Sequence, residues 1–289
     1  MVLDSSRPSI YTIAWYLDAA YPNWEAYIWE KEDRYEAAVP FPRKRVGPLS
    51  WVQIPYFVQQ TGLVYRKGLF PEPYLKEFFT QKLSFGIIAL QIAFSSALND
   101  LVKKHAPAKW KSTRKKNFLL DLEQSVDILI SNFNENRKRN LKKAVKNGWI
   151  CEESTEIEEA LKMYHDFQLP NQKNASKKAV TAVRHIYAAA LRRGWAELYC
   201  VRNENTVLAY ALFIRFESRI YYLFGSMSEE GKAHSAISIS FAHVIKKYAG
   251  QALTLDFEGG NMPNIGQYFA SFGASPEEYL SLSYHLLKA

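Results

Sequence analysis

The sequence predicts a mixed α/β fold, a sheet with antiparallel and parallel strands flanked by helices, made of two similar modules. Its 289 residues suffice for about two domains of roughly 150 residues each. Hydrophobic residues make up 48% and charged residues 23% of the chain, a balance typical of packed globular proteins. The order of strand and helix patterns indicates the mixed sheet, and an internal repeat indicates the two modules.

The N-terminal part reads as strands followed by a helix. Polar residues 31–34 form a turn between two strands, and Pro40 and Pro42 end the second strand. The remaining predictions are an extended stretch at 52–65, a helix at 71–83, a buried strand or helix at 85–94, a linker at 103–116 and a short strand at 118–122.

The C-terminal part alternates more regularly. Gly148 and Gly194 mark the ends of two helices, because glycine is preferred just after a helix. Three successive strands predict an antiparallel meander, and the helix and strand after them should add a parallel strand. The predicted helices are 132–147, 155–167, 176–193, 233–248 and 261–272, and the strands are 197–202, 206–216, 219–225, 252–257 and 279–287.

An internal repeat appears when the sequence is laid over itself so that Tyr27 meets Tyr199. Residues 27–41 then lie over 199–213, and Glu32/Glu204, Ala37/Ala209 and Phe41/Phe213 are also identical. Each hairpin precedes an extended stretch, a helix and a strand. This predicts an N-terminal module at 1–116 and a C-terminal module at 117–289.

The positive charge is concentrated in the middle of the chain. Residues 103–147 carry 13 basic and 4 acidic side chains, whereas 1–102 carry 10 of each and 148–289 carry 14 and 15. Such a field attracts phosphates or other polyanions, and a solvated linker and helix face is the alternative.

Several protein classes have no support in the sequence. Two cysteines cannot form a disulfide framework, and no histidine or cysteine spacing suggests a metal site. The P-loop, dinucleotide and Gly-x-Ser-x-Gly patterns are missing. The longest apolar run, 85–98, is too short for a membrane span, and no secretory signal is visible, so we expect a cytoplasmic protein without a metal.

The helix at 132–147 carries the first candidate binding residues. Arg137 falls on the apolar side with Leu141 and Ala144, where a guanidinium needs a carboxylate or phosphate partner. It is either half of a structural ion pair or a phosphate clamp. Exposed positions on this helix add Arg139, Lys142 and Lys143 as candidate substrate- and phosphate-binding residues.

Two carboxylates at the end of a predicted strand are the candidate catalytic residues. Asp256 and Glu258 should share one face of the strand, next to Gly259 and Gly260. They could supply a general base for an attacking amine, pair with Arg137 and its neighbours, or cap the next helix.

The chain resembles the GNAT acyltransferases. In that family a pyrophosphate sits on a turn of pattern Gln/Arg-x-x-Gly-x-Gly/Ala, and here residues 228–233 read Ser-Glu-Glu-Gly-Lys-Ala. The helix 136–144, the stretch Asp256-Phe257-Glu258-Gly259-Gly260 and Phe269-x-x-Phe272-Gly273-Ala274 are similar to the FemABX-like transferases, which are tandem GNAT modules. A coiled-coil arm of the kind some peptidoglycan members insert is not visible.

The resemblance implies an enzyme that transfers an acyl or aminoacyl group to an amine. Its donor would be acyl-CoA or aminoacyl-tRNA, bound with the help of Ser226, Gly231, Lys232 and Ala233. Its acceptor would be a small molecule or cell-wall precursor, and the basic helix could contact tRNA or a nucleotide-sugar. The alternative is an inactive module pair that binds an anionic ligand. The acidic Glu229 and Glu230 favour that alternative, and we expect weak acetyl-CoA binding. Nucleic-acid binding as the main function lacks regularly spaced stacking aromatics.

Overall fold

A computed structural model describes residues 9–80, 87–167, 177–204 and 206–286. Parts of the predicted elements, namely residues 81–83, 85–86, 176, 205 and 287, lie outside these ranges. The helices are Ala14–Ala20 (α1), Glu72–Thr80 (α2), Asn99–His105 (α3), Val126–Ser131 (α4), Glu135–Lys146 (α5), Ile157–Phe167 (α6), Lys177–Leu191 (α7), Glu229–Ala233 (α8), Ile237–Tyr248 (α9) and Pro263–Ala270 (α10). The strands are Trp24–Lys31 (β1), Arg34–Val46 (β2), Leu49–Val52 (β3), Val64–Tyr65 (β4), Ile87–Ala93 (β5), Lys111–Asp121 (β6), Trp149–Ser154 (β7), Ala196–Asn203 (β8), Thr206–Phe216 (β9), Arg219–Met227 (β10), Thr254–Asp256 (β11) and Ser275–His285 (β12).

The chain forms two compact units. Unit 1 comprises Met1–Lys115 and Glu278–Ala289, and unit 2 comprises Lys116–Glu277. The C-terminal residues therefore differ from the predicted division, which assigned 278–289 to the second module. The reason is long-range pairing, because Ser281 to His285 of β12 pair with Ala93 to Ala89 of β5.

Unit 2 has the predicted mixed sheet, with strand order β6-β11-β10-β9-β8-β7. Strands β10 and β11 are parallel, and the other neighbours with described pairing are antiparallel. The predicted meander and the added parallel strand are thus confirmed. One core packs Phe213 of β9 against Phe241 of α9 and Phe269 of α10.

Unit 1 has strand order β1-β2-β3-β5-β12, and β4 pairs with β2 off this path. Strands β3 and β5 are parallel, whereas β1-β2, β2-β3 and β5-β12 are antiparallel. Its core includes Phe78 and Phe79 of α2 together with Leu280 and Leu282 of β12.

The two hairpins repeat in detail. The shift that places Tyr27 on Tyr199 also places the start of β1 on the start of β8, the end of β1 on the end of β8, and the start of β2 on the start of β9. The irregularity in pairing falls between Trp29 and Glu30 in one hairpin and between Val201 and Arg202 in the other, which is the same shift. The predicted repeat is therefore confirmed at the level of strand bounds and register.

Three predictions from the sequence differ from the structure. Pro40 and Pro42 do not end the second strand, because β2 continues through both to Val46. The linker at 103–116 is instead the end of α3 and the start of β6, since basic residues on an exposed strand resemble a solvated loop in sequence. The helix predicted at 233–248 is present as α9 from Ile237 to Tyr248, but it starts later than predicted, because α8 ends at Ala233 and Ser235 has a positive φ of 54°.

Candidate active site

The parallel strands β10 and β11 part at the centre of unit 2. Their pairing runs from Arg219↔Thr254 to Tyr221↔Asp256, and β10 then continues to Met227 paired with β9. A register shift between Tyr222 and Phe224 accompanies the parting. The backbone leaving β11 stays against β6, because the Phe257 N–H donates to the Phe118 carbonyl and the Gly259 N–H donates to Asn117 Oδ1.

Asp256, the last residue of β11, is buried within a polar network. Its Oδ2 accepts a hydrogen bond from Nη1 of Arg219 at 2.9 Å, and this contact is also an ion pair. Its Oδ1 accepts from Nδ2 of Asn117 at 2.8 Å and from the backbone N–H of Glu258 at 2.9 Å. Burial raises the pKa of Asp256, although all three of these partners act to lower that pKa. The predicted pairing of Asp256 with Arg137 is wrong, because Arg219 takes that role.

Glu258 does not share a strand face with Asp256, which corrects the sequence prediction. Strand β11 ends at Asp256, and Glu258 has a positive φ of 57°, followed by Gly259 at 148° and Gly260 at 133°. The period-two alternation of a strand stops where the backbone turns to positive φ.

The Glu258 carboxyl differs from that of Asp256 in having an oxygen that forms no hydrogen bond with the described residues. Its Oε1 is buried and has no hydrogen-bond partner among the described residues. Burial raises the pKa of this carboxyl well above its usual value. A carboxyl with a raised pKa and an unused oxygen binds a proton more readily than an ordinary glutamate, which suits a general base.

The candidate cofactor turn is held by its own hydrogen bonds. The Ser228 hydroxyl caps α8 by accepting from the Gly231 N–H at 3.1 Å, and the Ser228 carbonyl accepts from the Lys232 N–H at 2.9 Å. A Cβ on Gly231 would lie 2.0 Å from the Leu208 carbonyl oxygen, so close packing on β9 explains this glycine. Lys232 donates its Nζ to the Phe167 carbonyl.

The other residues predicted for cofactor binding lie in different surroundings. Ser226 is fully buried in β10 and donates to the Ala160 carbonyl at 3.0 Å. Ala233 is exposed at the end of α8, and Glu229 and Glu230 are exposed in its first turn. Of these residues, Ser226 is therefore bonded to α6, whereas Glu229, Glu230 and Ala233 face solvent.

Arg137 lies on the buried side of α5, as the helical pattern predicts. Its Nε and Nη1 donate to the hydroxyls of Ser271 and Ser238 at 3.1 and 2.6 Å. The guanidinium carbon lies 4.6 Å from the ring centre of Tyr268 and 4.9 Å from that of Phe272. Within the described residues no carboxylate pairs with Arg137, so the predicted structural ion pair is wrong. Hydroxyls and aromatic faces surround this cation instead.

The exposed cations of α5 border a small cavity. Arg139, Lys142 and Lys143 are exposed and form no ion pair with the residues that the structure describes. A cavity of about 160 Å³ lies between α5 and the α8–α9 connection, lined by Asn140, Lys143, Asn147, Ala233, His234 and Ser235, among others. The structure therefore brings Lys143 and Ala233 together, which the sequence assigned to separate sites.

Asn117 and Arg219 are site residues that the sequence analysis missed. Asn117 is fully buried, and its Oδ1 accepts from the backbone N–H groups of Phe118 and Gly259. Both residues reach Asp256 only through the pairing of β11 with β6 and β10. Their one sequence signal is Asn117 itself, the last polar residue before the apolar residues 118–120.

Neither a metal-binding group nor a membrane-spanning helix is found among the residues that the structure describes. No group of three or more His, Cys, Asp or Glu side chains in these ranges could hold a metal ion. No helix within the described ranges has the length and apolar character that a membrane span requires.

The comparisons with known proteins define the class. Residues 131–268 match the family model of the acetyltransferase (GNAT) domain, and this segment includes α5, the parting of β10 and β11, and Glu258. This part of the chain thus carries a GNAT-type acyltransferase fold, for which acyl-CoA is the typical donor. None of the curated proteins matches the chain.

Solved structures extend the likeness to nearly the whole chain. FemX has a TM-score of 0.67 at 14% identity, covering 96% of this chain and 92% of its own. A tandem GNAT protein from the clavulanic acid biosynthesis pathway has a TM-score of 0.56 at 11% identity, covering 99% and 91%. The C-terminal domain of a putative lysylphosphatidylglycerol synthetase from Agrobacterium fabrum has a TM-score of 0.52 at 11% identity, covering 97% and 89%. The predicted resemblance to FemABX-like GNAT acyltransferases and the predicted fold class are confirmed.

Proposed function

We propose that this chain transfers an acyl or aminoacyl group to an amine acceptor beside the parting of β10 and β11. The observation that carries the proposal is the buried, unpartnered carboxyl oxygen of Glu258 in a GNAT-type fold. The amine nitrogen attacks the acyl carbonyl carbon and forms the new bond. The Glu258 carboxylate takes the proton that the nitrogen loses, and this proton then leaves with the departing alcohol or thiol.

The proposed donor is an aminoacyl ester rather than acetyl-CoA. A pyrophosphate at the start of α8 would need free backbone N–H groups, but those of Gly231 and Lys232 in α8 already bond to Ser228. The exposed Glu229 and Glu230 would also repel an anion there. The name of the similar lysylphosphatidylglycerol synthetase domain denotes the product of an aminoacyl transfer, which supports this choice.

Phosphates of the substrate would meet the exposed face of α5. Arg139, Lys142 and Lys143 offer cations without competing ion pairs, and Lys143 also lines the cavity of about 160 Å³. Aminoacyl-tRNA as donor and a nucleotide-linked cell-wall precursor as acceptor both carry phosphates that suit this face.

A second candidate function is binding without catalysis. Two features of α8 favour this candidate: the Gly231 N–H is already bonded to Ser228, and Glu229 and Glu230 are exposed. The module pair would then hold a nucleotide-sugar or another anionic ligand. In that case the cations of α5 would still bind the anionic ligand, but Glu258 would transfer no proton. The two functions differ in what the Glu258→Gln variant does.

The transfer assay uses aminoacyl-tRNA with a set of amine acceptors and measures deacylated tRNA and the new amide. We expect Glu258→Gln to lower turnover at least about 100-fold, the usual contribution of a general base. Asp121→Asn, which changes an exposed carboxylate at the end of β6, is the matched control and should keep full turnover. Equal binding without turnover in the wild type and in Glu258→Gln would establish the second candidate instead.

Titration calorimetry with acetyl-CoA tests the proposed donor. We expect no measurable heat of binding at micromolar protein, because the turn before α8 offers few free donors. A micromolar dissociation constant, about −8 kcal/mol, would overturn the assignment of an aminoacyl ester as donor.

A further inference from the structure

A buried polar network crosses three strands of unit 2 and ends at the backbone of Glu258. Arg219 begins β10, Asp256 ends β11 and Asn117 lies in β6. Asp256 is 1% exposed and Asn117 is fully buried, whereas the Arg219 side chain is 33% exposed. Burying these groups is costly unless every oxygen is used.

The network uses both oxygens of Asp256. Oδ2 accepts from Arg219, while Oδ1 accepts from Asn117 and from the Glu258 N–H. A carboxylate occupied in this way has little capacity left for a substrate proton. Asn117 Oδ1 in turn accepts from the Gly259 N–H at 3.0 Å. Asp256 and Asn117 therefore accept hydrogen bonds from two consecutive N–H groups of the loop, those of Glu258 and Gly259.

The segment held by these hydrogen bonds has an unfavourable backbone conformation at Glu258. Glu258 has a φ of 57°, which non-glycine residues adopt at an energetic cost. The hydrogen bonds at Glu258 and Gly259 are the contacts that can offset this cost. Without them the backbone would relax, and the carboxyl would move out of its buried place.

We propose that Arg219, Asp256 and Asn117 are positioning residues, which hold the Glu258 backbone so that its carboxyl stays buried and unpartnered for the incoming amine. This inference rests on the proposed function, and it separates the two carboxylates by role. Glu258 accepts and releases the proton, and Asp256 holds the Glu258 backbone in position. The charged groups that act on Asp256 are Arg219 of β10 and Glu277 of β12, while burial dominates at Glu258.

Amide hydrogen exchange on the substrate-free protein tests the positioning directly. In Asp256→Asn we expect exchange at the Glu258 and Gly259 N–H groups to accelerate at least about tenfold. The Glu258 N–H loses its charged acceptor, and Asn117, which accepts from the Gly259 N–H, loses the charged partner that holds its side chain. The Phe257 N–H bonds to the Phe118 carbonyl, so it should keep its protection and serves as an internal control. Asp121→Asn should change none of the three.

Carbon-13 NMR of the Glu258 carboxyl gives the second readout. The Glu258→Gln variant identifies its signal, and we expect Asp256→Asn and Arg219→Met to move its titration toward the ordinary glutamate range. Arg219→Lys should restore most of the wild-type titration. Arg219 is partly exposed, so Arg219→Met keeps the test decisive if Asp256→Asn fails to fold.

The outcomes separate this inference from the proposed function. Unchanged exchange at Glu258 and Gly259 together with an unchanged titration in a folded variant would overturn the positioning role, whatever the protein catalyses. Changed exchange and titration in a protein without transfer activity would sustain the positioning role and reject the proposed transfer.

Discussion

Asp256 and Glu258 stand two positions apart in the chain but have opposite surroundings. Asp256 uses both carboxyl oxygens on Arg219, Asn117 and the backbone of Glu258. Glu258 leaves one buried oxygen unused. The sequence indicated that this pair matters, because carboxylates beside two glycines at a strand end are unusual. It could not distinguish their roles, since the difference arises from one positive φ and from partners that lie on other strands, far away in the chain.

Glu258 should make the stability of the protein depend on pH. Its pKa is raised in the folded state, so the folded protein binds this proton more tightly than the unfolded chain does. The stabilisation is complete below the ordinary glutamate pKa of about 4.3 and is lost as the pH rises through the folded pKa, at about 1.4 kcal/mol per unit of difference.

Glu258→Gln removes this loss, because the amide stays neutral. Urea unfolding at several pH values should therefore show the variant gaining stability relative to wild type as the pH increases from 4 to 8. Glu229→Gln, which removes an exposed carboxylate of α8, should not reproduce the gain. A constant difference between Glu258→Gln and wild type over this range would contradict the raised pKa.

Arg137 shows how a helical pattern can locate a residue without identifying its partner. The wheel of α5 placed it on the buried side, and it is 4% exposed. Its expected carboxylate is replaced by two serine hydroxyls and two aromatic rings. These belong to α9, α10 and the residues just after α10, a set that only the tertiary fold assembles.

This environment changes what the substitution of Arg137 should cost. Arg137→Ala leaves a cavity among packed rings and should lower the free energy of unfolding by about 2–4 kcal/mol. Arg137→Met fills the space without a buried charge and should stay within about 1.5 kcal/mol of wild type. Urea denaturation measures both variants. Equal losses for Ala and Met would mean that the charge itself is needed and would point to an anion bound at Arg137.

Helix α5 is the element that the sequence describes best. Asn134 caps its first turn by accepting from the Arg137 N–H, and Gly148 follows its end with a φ of 70°. These are local signals, so they need no knowledge of the tertiary structure. Helix α8 was not predicted, because its packing on the Leu208 carbonyl of β9 depends on the tertiary structure.

The exposed face of α5 yields a prediction on salt dependence. The double variant Lys142→Ala/Lys143→Ala should bind tRNA more weakly than wild type. Its affinity should also depend less on salt, because fewer phosphate contacts release fewer counterions on binding. Both side chains are exposed, so the free energy of unfolding should change by no more than about 0.5 kcal/mol. Filter binding at several salt concentrations measures the first effect and urea unfolding the second.

The matched control for α5 is a second pair of adjacent lysines. Lys177 and Lys178 are exposed at the start of α7 in the same unit, and replacing both with Ala removes the same charge. This variant should keep the tRNA affinity of wild type. Equal weakening by both pairs would mean that only total charge matters, and the assignment of a phosphate site to α5 would then fail.

At the scale of the whole chain, the repeat could be predicted from the sequence, but the unit to which β12 belongs could not. A hairpin is defined by neighbouring residues, so its pattern recurs visibly when β1 and β2 are laid over β8 and β9. In each unit, one strand at the end of the strand order pairs with a strand that is distant in the chain. Strand β12 pairs with β5 in unit 1, and β6 pairs with β11 in unit 2. Division of the sequence at one point therefore removes a strand from unit 1.

This assignment of β12 predicts where the protein loosens when a core leucine is removed. Leu282 of β12 is fully buried in the core of unit 1, and Leu212 of β9 is fully buried in unit 2. Either change to Ala should cost about 2–5 kcal/mol. Hydrogen exchange by mass spectrometry should show lost protection in β5 for Leu282→Ala and in β8 and β10 for Leu212→Ala, because these strands pair directly with the altered one. If Leu282→Ala instead exposed β8 and β10 while β5 stayed protected, β12 would belong energetically to unit 2, as the division at residue 116 first suggested.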